Sequence, residues 1–235
     1  MLEVKELCKS FGSHCVLDSL SITFGKTGIT VIVGLNGSGK TVFLNSVSGI
    51  IQYDSGEVLL DGYSNGSDTF KKNIFYIPSD SYLPEYLTGN EYADFVQSRY
   101  ENSSKSIFSE ISCLLDMTEA LEKAIESYSF GMKKKLQIAL GLSLNVGYLL
   151  ADEVFSGLDL ETVILTQELF GLYAKKHKVL LVSHERNIIN QFSNDILLMR
   201  KGKLTEFKGT ADELSEYIYQ QGKIAEKLQK IKELI

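Results

Sequence analysis

The sequence predicts an α/β fold, and three patterns support this class. Continuous apolar runs at 29–33, 148–151 and 179–182 are typical of strands buried on both faces of a parallel sheet. Segments with helical periodicity separate these runs, as crossover connections between parallel strands require. Apolar and polar residues alternate through much of the first 61 residues, which is typical of antiparallel strands.

The N-terminal third is expected to form an antiparallel β-subdomain. Alternating segments at 2–7, 16–24 and 57–61 are predicted strands, and Gly12 and Gly62 mark turns beside them.

The middle of the chain, about 86–128, is expected to be a helical insertion in the α/β core. Three helix starts are predicted there from polar capping residues. They are Thr88 with Glu91 for a helix over 92–100, Ser103 or Ser104 for 107–115, and Thr118 for 119–125.

The uncharged stretch 136–151 is interpreted as a buried helix, a turn at 145–147 and a buried strand. It is shorter than the ~20 apolar residues that a membrane-spanning helix needs. Further on, a hairpin is predicted around Lys201 and Gly202.

The C-terminal residues 211–235 are expected to be a helical extension. Thr210 and Glu213 have the spacing of a capping box at its start. Apolar residues recur on one helical face along 224–235.

Composition is that of an ordinary globular protein. The 235 residues are 44% hydrophobic and 23% charged, enough for one large domain or a domain with an inserted subdomain. The net charge of -6 argues against a nucleic-acid coat. Three cysteines without metal-site spacing and an N-terminus without an apolar signal core favour a reduced, cytosolic protein.

Residues 34–41 read G-L-N-G-S-G-K-T and fit the phosphate-binding P-loop, G-x-x-x-x-G-K-[ST]. The motif follows an apolar run and precedes a predicted helix at 42–47, which is the context that it requires. Its glycines let consecutive backbone N–H groups surround a phosphate chain. Lys40 can reach the outer phosphates, and Thr41 offers a hydroxyl to Mg²⁺.

Two other predicted strands end in residues that suit nucleotide chemistry. The run 148–151 is followed by Asp152 and Glu153. Asp152 can lie beside a metal held by Thr41, whereas Glu153 points to the other side of the pleat, where it can polarise a water molecule. His184 follows the run at 179–182, at a strand end where ligand sites of α/β proteins lie.

With these motifs in this order, the chain resembles the nucleotide-binding domain of ATP-binding cassette (ABC) proteins over about residues 1–210. Residues 34–41 are similar to the Walker A loop, 149–153 to the Walker B strand and 156–159 to the D-loop. Residues 128–132, Y-S-F-G-M, are similar to the signature motif L-S-G-G-Q that defines the family. The resemblance implies a RecA-like P-loop NTPase core, ATP and Mg²⁺ as cofactors, and ATP hydrolysis.

The resemblance also implies roles for individual residues. Two cassettes of this family meet head to tail, so the signature of one chain faces the ATP held by the other. The implied catalytic residues are Glu153, His184 as the switch histidine, and Lys40. The implied metal ligands are Thr41, Asp152 and Ser79. The implied nucleotide contacts are Phe11 on the adenine, Gly34, Asn36, Gly37, Ser38, Gly39, Lys40, Thr41 and Val42 in the P-loop, and Ser129 and Gly131 in trans.

Four positions depart from the family pattern. Phe130 and Met132 replace a glycine and the glutamine of the signature, and Val42 replaces a hydroxyl residue but keeps its backbone N–H. Ser79 stands after Pro78, where the family usually has a metal-binding glutamine, and its side chain has a shorter reach.

Two features outside the motifs carry further predictions. The lysines at 133–135, directly after the signature, either add a positive field for a phosphate that arrives from a second chain or are simply solvated, and we favour their interpretation as solvated. The resemblance implies a groove at the helical insertion that receives a coupling helix of a membrane subunit; alternatively, its apolar residues form the insertion's own small core. The residues considered for it are Tyr82, Leu83, Tyr86, Leu87, Tyr92 and Phe95, of which Tyr82 and Tyr86 are expected to be exposed.

Other P-loop classes fit less well. A nucleotide kinase typically clamps phosphates with several arginines, and this chain has only Arg99, Arg186 and Arg200, all outside the motifs. A GTPase needs a guanine-reading motif such as N-K-x-D, which the sequence lacks.

Within the ABC family, the choice lies between a transporter subunit and a soluble ATPase of DNA repair, metal-cluster assembly or translation. The single cassette with a short insertion and no basic arm favours transport. Similarity of 86–92 and of Y-S-x-G-M-K to ABC-2-type exporters favours export. We therefore expect an ATPase on the cytoplasmic face of a membrane, with a separate permease, a second cassette and no nucleic acid as partners.

Overall fold

The computed structural model describes residues 1–80 and 82–221. The strands are β1 (Leu2–Phe11), β2 (His14–Phe24), β3 (Gly28–Val33), β4 (Ser55–Leu60), β5 (Tyr63–Ser64), β6 (Ile74–Ile77), β7 (Tyr148–Asp152), β8 (Lys178–Val182), β9 (Ile196–Arg200) and β10 (Lys203–Glu206). The helices are α1 (Lys40–Ser48), α2 (Asp68–Lys71), α3 (Gly89–Gln97), α4 (Lys105–Leu114), α5 (Phe130–Ser143), α6 (Leu160–Ala174), α7 (Arg186–Gln191) and α8 (Ala211–Gln221).

The N-terminal strands form the predicted antiparallel sheet, with the order β2-β1-β4-β5 in the described part of the chain. Strands β1 and β2 form a hairpin that turns at Gly12, whose φ of 60° suits glycine. Leu2, Val4 and Leu7 point from β1 into a core shared with α1. A shift in strand register between Val4 and Leu7, where Glu6 has a φ of 47°, keeps Leu7 on the buried face.

A second, mainly parallel sheet places the chemistry-bearing residues at one edge. Its order among the described residues is β10-β9-β3-β8-β7-β6, and only β10 pairs antiparallel. Every residue of β7 and β8 is buried, as continuous apolar strands predict. Since β3, β7 and β8 run in the same direction, the segments that follow them meet at their carboxyl ends. The α/β class with a P-loop NTPase core is confirmed.

The helical insertion has two of its three predicted helix starts. Thr88 and Glu91 form the capping box of α3, and Ser104 caps α4 through the backbone N–H of Ile107. The prediction for Thr118 is wrong. Two short 3₁₀ turns at Ala120–Glu122 and Ile125–Ser127 replace the helix over 119–125.

An extended residue explains why no longer helix forms there. Lys123 has φ and ψ of -101° and 153°, and its carbonyl accepts the N–H of Gly89. Ala124 forms an antiparallel bridge with Thr88. This pairing fastens the segment to the start of α3, and a helix would break it.

The remaining elements follow the predicted pattern. The stretch 136–151 forms the end of α5, a turn and β7, with Asn145 at a φ of 54° in the turn. Thr210 and Glu213 make the capping box of α8 through both expected bonds. The predicted apolar helix face along 224–235 lies outside the described residues.

Candidate functional site

The P-loop motif, residues 34–41, consists of the loop that follows β3 and the start of α1, at the carboxyl edge of the parallel sheet. Gly39 is the N-cap of α1 with a φ of 105°, a conformation that favours glycine. At Gly34 an added Cβ would lie 2.5 Å from the carbonyl oxygen of Met199, so the loop packs directly against β9. The first N–H groups of α1 have no intrahelical partner, which makes this end of the helix suited to a phosphate.

Lys40 lies across the base of this loop. Its ammonium donates hydrogen bonds to the carbonyl oxygens of Gly34, at 2.9 Å, and of Leu35, at 3.1 Å. Burial lowers its pKa, and the carboxylates of Glu153 and Asp152 oppose this shift. The side chain therefore puts a positive charge between the phosphate-binding loop and the acidic ends of the neighbouring strands.

Asp152 ends β7 next to the loop and is fully buried. Its Oδ2 accepts a hydrogen bond from the hydroxyl of Thr41, at 2.7 Å, and lies 3.4 Å from the hydroxyl of Tyr76. Its Oδ1 is buried and has no hydrogen-bond partner among the described residues. Burial raises the pKa of Asp152, while the bonds from Thr41 and Tyr76 and the charges of Lys40 and Lys134 lower it.

Glu153 and His184 face each other across adjacent strand ends. The Nε2 of His184 lies 3.2 Å from Oε1 of Glu153. Glu153 has a φ of 48°, which is unusual for a non-glycine residue. Burial, with the charge of Asp152, raises the pKa of Glu153 to about 7. Burial and the charge of Lys40 lower the pKa of His184, which keeps its imidazole neutral near pH 7.

These residues line one cleft with a volume of about 650 Å³. The predicted site residues in its lining are Phe11, Asn36, Gly37, Gly39, Lys40, Thr41, Val42, Ser79, Asp152, Glu153 and His184. The structure thus brings together residues from five separate segments of the chain. Gly34 and Ser38 belong to the same loop but are not part of the cleft lining.

Phe11 stands at the rim of the cleft. Its ring is 53% exposed, and the ammonium of Lys9 lies 5.1 Å from the ring centroid. An exposed aromatic face beside a phosphate-binding loop can stack on a flat base. His14 and Val16 line the cleft on the same side.

The signature residues Ser129 and Gly131 do not line the cleft of their own chain. Ser129 is exposed and caps α5, accepting the N–H of Met132 on its Oγ at 3.2 Å. The ring of Phe130 packs on Gly157, where an added Cβ would lie 2.5 Å from Cδ1. Phe130 therefore turns toward residues 156–159, while Ser129 stays open to a ligand from outside.

The interpretation of the three lysines as solvated is wrong. Lys134 is fully buried, and its ammonium donates a hydrogen bond to the carbonyl oxygen of Pro78 at 2.6 Å. The side chains of Lys133 and Lys135 are each 17% exposed and form ion pairs with Glu85 and Asp159. The three side chains fan out from the first turns of α5 to three different segments, because successive helical residues point in directions about 100° apart.

Sequence reasoning missed Tyr76 and Lys134 as neighbours of Asp152. Tyr76 is a hydroxyl residue in the otherwise apolar strand β6, which is a weak signal. Lys134 lies four residues before Ile138, which is fully buried, and this spacing places both on one face of α5.

The aromatic segment of the insertion is divided between surface and core. Tyr82 and Tyr86 are 88% and 82% exposed, as predicted, and Phe95 is also exposed. Leu83 is buried and Tyr92 packs against the core, so the alternative of an internal core is correct for those two.

A second pocket of about 320 Å³ lies behind the P-loop. Arg200 lines it together with Asn36 and Gly37, and its guanidinium lies 5.8 Å from the ring centroid of Tyr217. Arg200 therefore shares a pocket with P-loop residues but is not part of the cleft lining described above.

Among the described residues, no helix is long and apolar enough to cross a membrane.

Comparison with known structures supports the fold. A structure described as the ATP-binding subunit of an ABC transporter is 24% identical, with a TM-score of 0.80 over 94% of this chain and 92% of that chain. The ATP-binding cassette MJ0796, solved as a dimer in a post-hydrolysis state with ADP and Pi, is 22% identical, with a TM-score of 0.74 over 88% of this chain and 98% of that chain.

Comparison with known sequences identifies the family. The uncharacterized ABC transporter ATP-binding protein YxlF of Bacillus subtilis (strain 168) is 29% identical, over 92% of this chain and 73% of its own length. Proteins named for import are also among the relatives. The ABC transporter family model matches residues 17–156. The chain therefore belongs to the ABC transporter family, whose ATP-binding domains hydrolyse ATP.

Proposed function

We propose that this chain is the ATP-binding and ATP-hydrolysing subunit of a transporter and powers transport through a separate membrane subunit. The observation that carries the proposal is the 2.7 Å hydrogen bond between Thr41 and Asp152, with Lys40 beside it. This contact joins a phosphate-binding loop to a buried carboxylate. Such an arrangement suits the β- and γ-phosphates of ATP.

The donor set at this contact suits Mg²⁺. Asp152 has one buried oxygen without a hydrogen-bond partner among the described residues, and Thr41 supplies a hydroxyl. Oxygen ligands of this kind are those that Mg²⁺ prefers. Thr41 and Asp152 would hold the ion, and Ser79 lies in the wall of the same cleft as a candidate third ligand. When bound, the ion neutralises negative charge on the phosphate oxygens.

Glu153 and His184 are proposed to act on the attacking water and the γ-phosphate. Glu153 has a raised pKa and a buried Oε1, properties that suit a general base poised near neutral pH. Neutral His184 can donate a hydrogen bond to a phosphate oxygen and, on the release of phosphate, return to Glu153. The P-loop N–H groups and Lys40 would hold the remaining phosphates in line for attack.

A second cassette would complete the site. Ser129 and Gly131 lie outside their own chain's cleft, and Ser129 caps the exposed N-terminus of α5. A helix N-terminus favours negative charge, so this end suits the γ-phosphate of ATP bound by another chain. Two chains would close around two ATP molecules and open after hydrolysis. This conformational cycle would drive transport.

The partner that moves the cargo would bind at the helical insertion. Tyr82 and Tyr86 flank Pro84 in a loop and expose most of their rings, as interface anchors often do. A cytoplasmic segment of a permease is the proposed occupant, which places the chain on the cytoplasmic face of a membrane. Export is the proposed direction, supported by the similarity of 86–92 to ABC-2-type exporters.

Equilibrium binding and phosphate release test the proposal directly. The purified chain is expected to bind ATP and to release phosphate only when Mg²⁺ is present. Lys40→Ala is expected to weaken ATP binding about tenfold or more, since it removes the cation that faces the outer phosphates. Absence of ATP binding in the wild type would contradict the proposed function.

A further inference from the structure

Lys134 is a buried cation that the roles above do not use. It lies on α5, five residues after the cap residue Ser129, and its side chain has no exposed surface. Its ammonium donates a 2.6 Å hydrogen bond to the carbonyl oxygen of Pro78, the residue directly before Ser79. A single side chain thus connects the signature helix to the segment that carries a candidate metal ligand.

The surroundings of Lys134 are built from the site's own segments. The ring of Phe130 lies over its ammonium, 5.6 Å from centroid to Nζ, and the same ring packs on Gly157. The carboxylates of Asp152, Asp80 and Glu153 attract the charge. Burial nevertheless lowers the pKa of Lys134 to about 8, so desolvation outweighs this attraction.

Stability of the fold alone does not explain a lysine at this position. A buried ammonium is costly, and an apolar side chain of similar volume often replaces such a charge without loss of stability. Methionine has a similar length and shape and would fill the same space. A lysine gives two things that methionine cannot: a donor to the Pro78 carbonyl and a positive charge near the carboxylates at the end of β7.

We infer that Lys134 is a positioning residue for ATP hydrolysis, which holds the 78–79 segment beside Asp152 and couples it to the signature turn of the same chain. This inference rests on the proposed function. A phosphate that docks on residues 129–131 from a second chain would pull on α5, and Lys134 would pass that movement to Ser79. Phe130 and Ser79, which both depart from the family pattern, are then linked through Lys134. Its ammonium lies against the ring of Phe130 and donates a hydrogen bond to the carbonyl of Pro78, next to Ser79.

The test compares Lys134→Met with Lys134→Gln and with the control Lys133→Met. Lys133 is on the same helix, and its ion pair with Glu85 leads away from the cleft. Lys134→Met is expected to lower kcat about tenfold and to raise the Mg²⁺ concentration for half-maximal activity, with KM for ATP within about threefold. Lys134→Gln, which keeps a donor, is expected to recover part of kcat. Lys133→Met is expected to stay within about twofold of the wild type.

A double-mutant cycle with Ser79→Ala tests the route of the effect. If Lys134 acts through the 78–79 segment, the double variant should lose no more activity than the worse single variant, because both changes disturb one unit. If the loss of activity in the double variant equals the product of the two single-variant losses, the inference is overturned. It is also overturned if the kcat and the Mg²⁺ requirement of Lys134→Met both stay within twofold of the wild type. If circular dichroism shows that Lys134→Met does not fold, the same criteria apply to Lys134→Leu, which also removes the donor to the Pro78 carbonyl.

The proposed function can fail separately. A wild-type chain without Mg²⁺-dependent ATPase activity would contradict the proposed function itself. An active wild type with an equally active Lys134→Met variant would remove only the positioning role.

Discussion

The hydroxyl of Thr41 donates a hydrogen bond to Oδ2 of Asp152 over 2.7 Å, joining residues 111 positions apart. Thr41 belongs to the first turn of α1 and Asp152 to the end of β7. The contact leaves Oδ1 of Asp152 buried and without a partner among the described residues. An orphaned carboxylate oxygen in a cleft is costly, and a bound cation would satisfy it.

Asp152→Asn should weaken the binding of Mg-ATP without destabilising the fold. The wild type is expected to gain about 5–10 °C in Tm with ATP and Mg²⁺ at about 100 times Kd, because the ligand binds only the folded chain. The variant should lose most of this gain. Its Tm without ligand should be equal or higher, since the change removes a buried charge whose pKa burial already raises. Differential scanning fluorimetry measures both values, and a full Mg-ATP gain in the variant would contradict the role of Asp152.

ATP should dimerise the chain when hydrolysis is blocked. Light scattering on Glu153→Gln with Mg-ATP is expected to give twice the monomer mass, and Ser129→Glu in that background should abolish the dimer while ATP still binds. The added carboxylate would repel the γ-phosphate at the helix N-terminus. A monomer under all conditions would argue against closure of two copies and leave a different second cassette as the partner.

Ser79→Gln should raise basal hydrolysis, because the longer side chain can reach the metal and the water that serine reaches poorly. Ser79→Ala is the matched control and should lower hydrolysis. The measurement is the steady-state rate of phosphate release by both variants and the wild type at saturating Mg-ATP. An unchanged or lower rate in Ser79→Gln would mean that Asp80 or a water molecule already fills the role.

Tyr82→Ala with Tyr86→Ala should weaken binding to the membrane subunit without affecting ATP binding. Both rings are exposed, so their loss should leave the Tm nearly unchanged. Leu172→Ala, an exposed apolar change on α6, is the control. Co-purification with the co-expressed permease is the measurement, and wild-type recovery of the double variant would place the docking surface elsewhere.

The sequence predicted the parts of the site that local patterns determine. The P-loop, the acidic end of β7 and His184 were found because each follows a continuous apolar strand. Their meeting at one edge follows from parallel strand direction.

The sequence did not predict features that depend on long-range packing. The burial of Lys134 depends on where Pro78 and Phe130 lie around α5, and a run of three lysines ordinarily indicates a solvated surface. The 3₁₀ turns near Thr118 likewise depend on the pairing of Ala124 with Thr88. Capping rules use only neighbouring residues, so they cannot predict a pairing between residues 36 positions apart.

The most direct test of ATP hydrolysis at this cleft is the paired measurement of ATP affinity and phosphate release in Glu153→Gln. Glutamine keeps the shape of Glu153 but cannot accept a proton. We expect an ATP Kd within about threefold of the wild type and phosphate release slowed about 100-fold or more. Phosphate release at the wild-type rate, with ATP still bound, would contradict it.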